Sequence, residues 1–561
     1  MSTGEVKVDL SARQRTAALM AGLVLLAGGV YGTGDVWRTW LSLNDREPLL
    51  AGLPAGGARQ STEAPPRRVQ RLVIVIADGV VADSGLALAS VKRLARRGVR
   101  ARATAPGPTF SAPSYAAWLS GVDPAGSGVR HNRYAGPLPL DSLLSRARAA
   151  GRLTMVYHDA KQPLMKNLFG PHIELYLSGE TRWLTVLTAV AKAELSVVVL
   201  DSADEAGHHA GADSAEYRKA LGVVDHRIGQ IVASIDLERD LLVVVNDHGH
   251  LPGGGHGGLE APVAQLFCVM AGAGVARGVD LGRIDQRDLA PLLAALAGLA
   301  PPAHNRGWPP RKAIAPDAPR PARRAAFAAQ LVTRLRVERY LARMLGASLP
   351  AGHAIPRGRD LLAARLGNLE RADALTRLLL ARTSRAVNAA ADASLASSRL
   401  ENGLVSGGLW LALLVGAVLL ARAELVTLDG RGVLVALIHA GAAYGGMRLL
   451  GASESLSSGG DLLGWLVRAS GATALAALLS LFVGVALGGT PARRVGRFVV
   501  AALVLALLAA AGATLAPVVP GGVTLPDPSW IGARQLAQGW LGVFCLAAGP
   551  TVLLVARGQR R

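Results

Sequence analysis

Three short aliphatic runs, each breaking off at acidic residues, limit how this chain can fold more than any other feature. Leu72-Val73-Ile74-Val75-Ile76-Ala77 ends at Asp78-Gly79, Ser196-Val197-Val198-Val199-Leu200 leads to Asp201 and Asp204, and Leu241-Leu242-Val243-Val244-Val245 leads to Asn246-Asp247-His248-Gly249. Runs of this length, β-branched and apolar on both faces, suit strands buried inside a parallel sheet. Amphipathic stretches at 86–97, 141–150 and 214–234 separate them, so the alternation predicts an α/β fold with a largely parallel sheet flanked by helices. In open α/β sheets ligands bind beyond the carboxyl ends of the strands. Three strands that end in carboxylates therefore aim them into one crevice.

The residue types gathered there specify a chemistry. Asp78, Asp204, His208, Asp247, His248 and His256 supply three carboxylates and three imidazoles, enough for two divalent ions with nitrogen and oxygen ligation. Such a pair activates a nucleophile and clamps the attacking and leaving oxygens of an in-line displacement at phosphorus. The nucleophile is read in Pro108-Thr109-Phe110-Ser111-Ala112-Pro113-Ser114-Tyr115. Pro113 prepares the first turn of a helix, and a hydroxyl at Ser111 lies where a helix N-terminus favours an alkoxide and phosphoryl oxygens. Taken alone, Ser111 would read as a helix N-cap; beside six metal-type residues it reads as the catalytic nucleophile. Ser114 and Asn132 are the candidates for substrate contact. His131, His158, His209, His250 and His304 are left over and read as exposed or hydrogen-bonded histidines; the first two are candidates to line the pocket, and His209 and His250 are alternatives to their ligand neighbours.

In this order the motifs resemble the alkaline phosphatase superfamily, in particular its type I phosphodiesterase/nucleotide pyrophosphatase branch and the membrane-bound phosphoethanolamine transferases of glycolipid-anchor synthesis. Asp78-Gly79 resembles the first metal-binding motif, and Pro108-Thr109-Phe110-Ser111-Ala112-Pro113 followed by Leu119-Ser120-Gly121 resembles the nucleophile motif. Asp204-Glu205-Ala206-Gly207-His208, Asp247-His248-Gly249 and Gly255-His256-Gly257-Gly258 resemble the remaining ligand motifs. The resemblance implies one metal held by Asp78, Asp247, His248 and the Ser111 oxygen and another held by Asp204, His208 and His256, with zinc (Zn2+) the usual ion. The phosphodiesterase branch usually has Thr as nucleophile and Asn three residues later, where this chain has Ser111 and Ser114. A sulfatase reading fits less well, because Tyr115 stands where that motif has Arg and only Asp78 follows the first strand.

The 561 residues exceed one ordinary domain, and 51% of them are hydrophobic. Apolar blocks near 17–36, 404–421, 432–451, 469–489, 498–519 and 539–556 each approach the ~20 residues that cross a bilayer, predicting six transmembrane helices. Lys7, Arg13, Arg15, Arg422, Arg431, Arg493, Arg494, Arg497, Arg557, Arg560 and Arg561 flank them on one side. That puts both termini in the cytoplasm of a multi-pass inner-membrane protein with its catalytic domain outside. The expected domains are a cytoplasmic tail and anchor (1–36), a linker (37–68), the catalytic domain (69–315), a helical connector (316–402) and a five-helix membrane domain (403–561). The spans hold few ionisable residues, which speaks against transport. A net charge of +20 without a recognisable nucleic-acid module points to anionic lipid or an anionic substrate rather than nucleic acid. Two cysteines offer neither a disulfide framework nor a thiolate metal site.

Two enzymatic functions share this site. One is a phosphoethanolamine-type transfer onto a lipid or glycan, which the membrane spans favour; the alternative is hydrolysis of nucleotide or lipid phosphodiesters. A catalytically inactive scaffold is the reading from another class.

Overall fold

The aliphatic runs form the middle of an eight-stranded sheet. In the computed structural model the strands are β1 (Leu72–Ala77), β2 (Val99–Thr104), β3 (Thr154–His158), β4 (Leu175–Ser178), β5 (Leu195–Leu200), β6 (Leu241–Val245), β7 (Gln265–Gly272) and β8 (Val279–Asp285), in spatial order β4-β3-β5-β1-β6-β7-β2-β8. The structure describes residues 48–55, 69–160, 163–316 and 320–344, with isolated positions elsewhere. Nearly all of these fall in one of two compact units, Leu43–Leu395 with Gly521–Ser529; the other comprises Met1–Ser42, Ala396–Pro520 and Trp530–Arg561.

β1 lies between β5 and β6, parallel to both, and all three are buried throughout. Their alternate side chains feed two cores, which is why the runs are apolar on both faces. Leu72, Ile74, Ile76, Val197, Val199, Val243 and Val245 pack on one side. Val73, Val75, Val198, Leu200, Leu242 and Val244 pack on the other, against helices Ala89–Arg97, Trp183–Lys192 and Ala215–Ser234. The expected α/β sheet is therefore present. β7 runs antiparallel to both β6 and β2, an inversion that an aliphatic run does not reveal.

Register does the positioning. Ala77 pairs with Leu200 and Ile76 with Val245, so the next residues along bring Asp78, Asp201 and Asp247 to the same edge. The helix Ser111–Ser120, buried along its whole length, is latched beneath this edge. Trp118 Nε1 donates to the Asn246 carbonyl at 2.9 Å and Ser114 Oγ to the Asp247 carbonyl at 2.7 Å.

The expected membrane architecture is overturned. Among the described residues no helix is long and apolar enough to cross a membrane. The long described helices, Ala215–Ser234 and Arg320–Met344, carry charges along their length, which hydrocarbon does not accommodate. The six transmembrane helices, the multi-pass inner-membrane placement and the likeness to the phosphoethanolamine transferases' architecture are corrected accordingly. The five C-terminal blocks and most of the 17–36 block lie outside the described residues.

Candidate active site

Asp78 follows β1 directly, and Gly79 turns the chain away with φ +66°. A Cβ at Gly79 would lie 2.5 Å from the Asp204 Cα, so the glycine lets the β1 turn and the helix Ser202–Ala210 touch. Asp204 and His208 are one turn apart on that helix, hence on one face. Asp247, His248 and His250 come from the loop after β6, and His256 from the glycine-rich loop beyond.

These side chains form overlapping clusters. Asp78, Asp247 and His248 make one; Asp204, His248, His250 and His256 make another; Asp78, Asp201 and Asp204 make a third. In the first, His248 Nε2 is 3.3 Å from Asp247 Oδ2 and 3.5 Å from Asp78 Oδ1. Around Asp204, His208 Nε2 is 3.4 Å from Oδ2, and His256 Nε2 is 3.1 Å from His208 Nε2. Ligand atoms on one tetrahedral ion with bonds of about 2.0 Å sit roughly 3.3 Å apart, so both sets have the spacing of metal ligands. Asp78 Oδ1 and Asp247 Oδ2 are moreover buried with no hydrogen-bond partner. Buried carboxylate oxygens are normally satisfied, and a cation would satisfy these. The residues therefore fit divalent metal ions.

Electrostatics carry the same signature. Burial pushes Asp247 up to about 7. It also raises Asp78 well above the usual carboxylate range, with the charges of Asp247 and Asp204 adding to the effect. Burial lowers His248 to about 3 and His256 well below its usual value, leaving neutral imidazoles, the form that binds metal. Asp204 behaves oppositely: burial would raise it, but hydrogen bonds from His208 and His250 and the charges of His256 and His248 hold it well below the usual value. His208 is raised, first by its bond to Asp204.

Ser111 opens its helix as the first residue, and Phe110 is the N-cap with no side-chain cap, so the capping role does not apply to it. Its Oγ lies 3.4 Å from His248 Nε2 and 3.5 Å from Asn132 Nδ2. Asn132 Oδ1 accepts the Ala112 N–H at 2.9 Å, which holds its amide against the helix start. Ser114 is turned the other way: its Oγ donates to Asp247 and accepts from Gln286 Nε2 at 2.7 Å.

One neighbour escaped the sequence reading, and another takes a role the sequence did not give it. Tyr115 donates its hydroxyl to Asp78 Oδ2; its place one turn after Ser111, on the same helix face, is the signal that could have found it. His250, which the sequence left exchangeable with the neighbouring ligand His248, lies with Nε2 2.7 Å from Asp204 Oδ1. Of the other spare histidines, His158 is buried with neither ring nitrogen bonded and packs edge-on to Tyr115. His131 packs at a tilt against Phe110, and His304 binds the Leu53 carbonyl.

Residues 151–270 match the family described as type I phosphodiesterase / nucleotide pyrophosphatase. No curated protein sequence matches the chain. Among solved structures, an inactive form of murine ectonucleotide pyrophosphatase/phosphodiesterase 5 in complex with AMP is 13% identical, with a TM-score of 0.36 over 41% of this chain and 95% of that one. A 2-O GAG sulfatase is 16% identical, with a TM-score of 0.35 over 43% of this chain and 73% of that one. The phosphonate monoester hydrolase of Agrobacterium radiobacter is 16% identical, with a TM-score of 0.33 over 43% and 76%. Clustered metal-type ligands at the strand ends, within and beside the matched stretch, make the chain an enzyme that acts on phosphate esters with metal ions.

Proposed function

We propose that this metal-dependent phosphoesterase hydrolyses phosphodiesters of the kind cleaved by nucleotide pyrophosphatases/phosphodiesterases, through a phosphoseryl intermediate on Ser111. The observation that carries this reading is the Ser111 hydroxyl at a helix start, 3.4 Å from His248 Nε2 and at the rim of the Asp78, Asp247 and His248 cluster. Two zinc ions are the proposed cofactors, one with Asp78, Asp247 and His248, the other with Asp204, His208 and His256. Bound there, they would lower the pKa of the serine hydroxyl and offset charge on the phosphoryl oxygens. Ser111 Oγ attacks phosphorus and gives up its proton to solvent, while the bond to the leaving oxygen breaks and that alkoxide takes a proton from solvent. Water then attacks phosphorus of the phosphoserine; its oxygen stays on the released monoester, the P–Oγ bond breaks, and Oγ takes up a proton to restore the hydroxyl. Asn132, fixed on the Ala112 amide, presents its Nδ2 beside Ser111 and is the proposed contact for a phosphoryl oxygen; Ser114, committed to Asp247 and Gln286, supports the helix instead.

Phosphoethanolamine transfer would use the same first step with an alcohol in place of water. Its main support was the expected membrane spans, and that support has gone. A chromogenic phosphodiester assayed with and without zinc tests the proposal. Turnover should require metal, and Ser111→Ala should lose roughly three orders of magnitude or more while keeping its zinc. Full activity in Ser111→Ala, or no zinc bound by the wild type, would sink the reading.

A further inference from the structure

His250 is placed differently from the other histidines around Asp204. Its Nε2 is 2.7 Å from Asp204 Oδ1, whereas His256 and His248 stand 3.8 and 3.9 Å from the same oxygen and His208 3.4 Å from Oδ2. The shorter separation is that of a charge-assisted N–H···O bond, and it is too close for two ligands of one tetrahedral ion. A carboxylate oxygen only accepts, so the ring proton sits on Nε2. The other nitrogen, Nδ1, is buried without a partner, so nothing else orients the ring by hydrogen bonding. Shape does instead: a Cβ on Gly207 would lie 2.4 Å from His250 Cδ2, so the bare helix surface at Gly207 is the slot in which the imidazole lies.

We infer that His250 is a positioning residue for the second metal site: by holding Asp204 at Oδ1 it fixes the carboxylate so that Oδ2 lies 3.4 Å from His208 Nε2, with His256 3.8 Å from Oδ1 on the same site. This rests on the metal-site reading above, and adds to it a residue outside both proposed ligand sets. Outer partners of ligating carboxylates typically govern affinity by 10- to 100-fold without changing the ligands.

The test uses the full chain and titrates zinc and cobalt(II) against a competing chelator in wild type, His250→Gln and His250→Asn. A glutamine amide nitrogen can overlay Nε2, whereas the asparagine amide is too short to reach Asp204. His250→Asn should weaken one of two sites by roughly 10- to 100-fold, His250→Gln should recover most of the loss, and the cobalt absorption bands at saturation should be unchanged in all three proteins. Unchanged affinity in His250→Asn would overturn the inference. So would loss of a whole metal equivalent with altered cobalt bands in both variants, which would make His250 a ligand. If the wild type binds two metals but cleaves no diester, the proposed function fails while this inference stands; if it binds none, both fail.

Discussion

Asp247 concentrates the cost of building this site. Two carboxylates, Asp78 and Asp247, are buried side by side with an oxygen each unsatisfied, an arrangement that destabilises the metal-free fold and disappears when a cation is held. Burial raises the Asp247 pKa from its ordinary value to about 7, so the folded metal-free protein favours the protonated acid. Its ionisation penalty is absent below about pH 4, where folded and unfolded states are both protonated. It grows as pH rises and levels off above the folded value. Asp247→Asn removes the charge and keeps the shape. In thermal melts with chelator, its stabilisation over wild type should be near zero at pH 4, increase up to about pH 7, then stay constant, with zinc binding and activity lost. A stabilisation that does not vary with pH would refute this account. Taking the difference between the two proteins matters because His248, lowered to about 3 by burial, acts on wild type in the opposite sense as the pH falls.

At the scale of elements, the site depends on strand ends and a helix start being held in contact. The turn after β1 is the tightest junction: Gly79 takes a left-handed φ and donates its N–H to Asp247 Oδ1 at 3.1 Å, while Asp204 leaves no room for a side chain. Gly79→Ala should cost about 1–3 kcal/mol from the backbone alone, and should reduce zinc affinity as the helix Ser202–Ala210 is pushed from β1. Chemical denaturation and metal titration read the two effects; stability within 0.5 kcal/mol of wild type, a roughly surface-like change, would show that the junction yields freely. The three aliphatic strands and the helices around them were legible because their patterns are local. β2, β4 and β8 were not, because their exposed positions interrupt the apolar run, and neither was β3, which is buried throughout but reads Thr154-Met155-Val156-Tyr157-His158 rather than as an aliphatic run.

Across the whole described unit, a buried ionic chain ties the helix Arg320–Met344 to the sheet domain. Glu338 Oε1 accepts from Arg334 Nε at 2.9 Å and Arg306 Nε at 3.3 Å. Arg306 and Arg287 each donate to Asp123 Oδ2 at 2.8 Å, and Leu335, Val337 and Leu341 of the helix are buried beside them. Removing one member strands the others without water. Glu338→Ala should therefore cost about 3–5 kcal/mol in denaturant unfolding, with zinc stoichiometry of the folded protein unchanged because none of these groups faces the metal ligands. A loss below 1 kcal/mol, about the worth of an exposed pair, would mean that the helix is held by its apolar contacts alone.

The sequence by itself determined the α/β class, the strand ends that carry acids, and the set of residues from which a metal site could be drawn, since each depends on the order of neighbours along the chain. Tertiary structure decided which donors lie close enough to act together. Asn132 rather than Ser114 stands beside Ser111, Tyr115 holds Asp78, and His250 holds Asp204, through contacts spanning 21, 37 and 46 positions respectively. Apolar blocks were read as membrane spans from length and hydropathy, whereas among the described residues no helix is long and apolar enough to cross a membrane. Periodicity reports which face of an element is buried; only the order and register of the strands decide what that face meets.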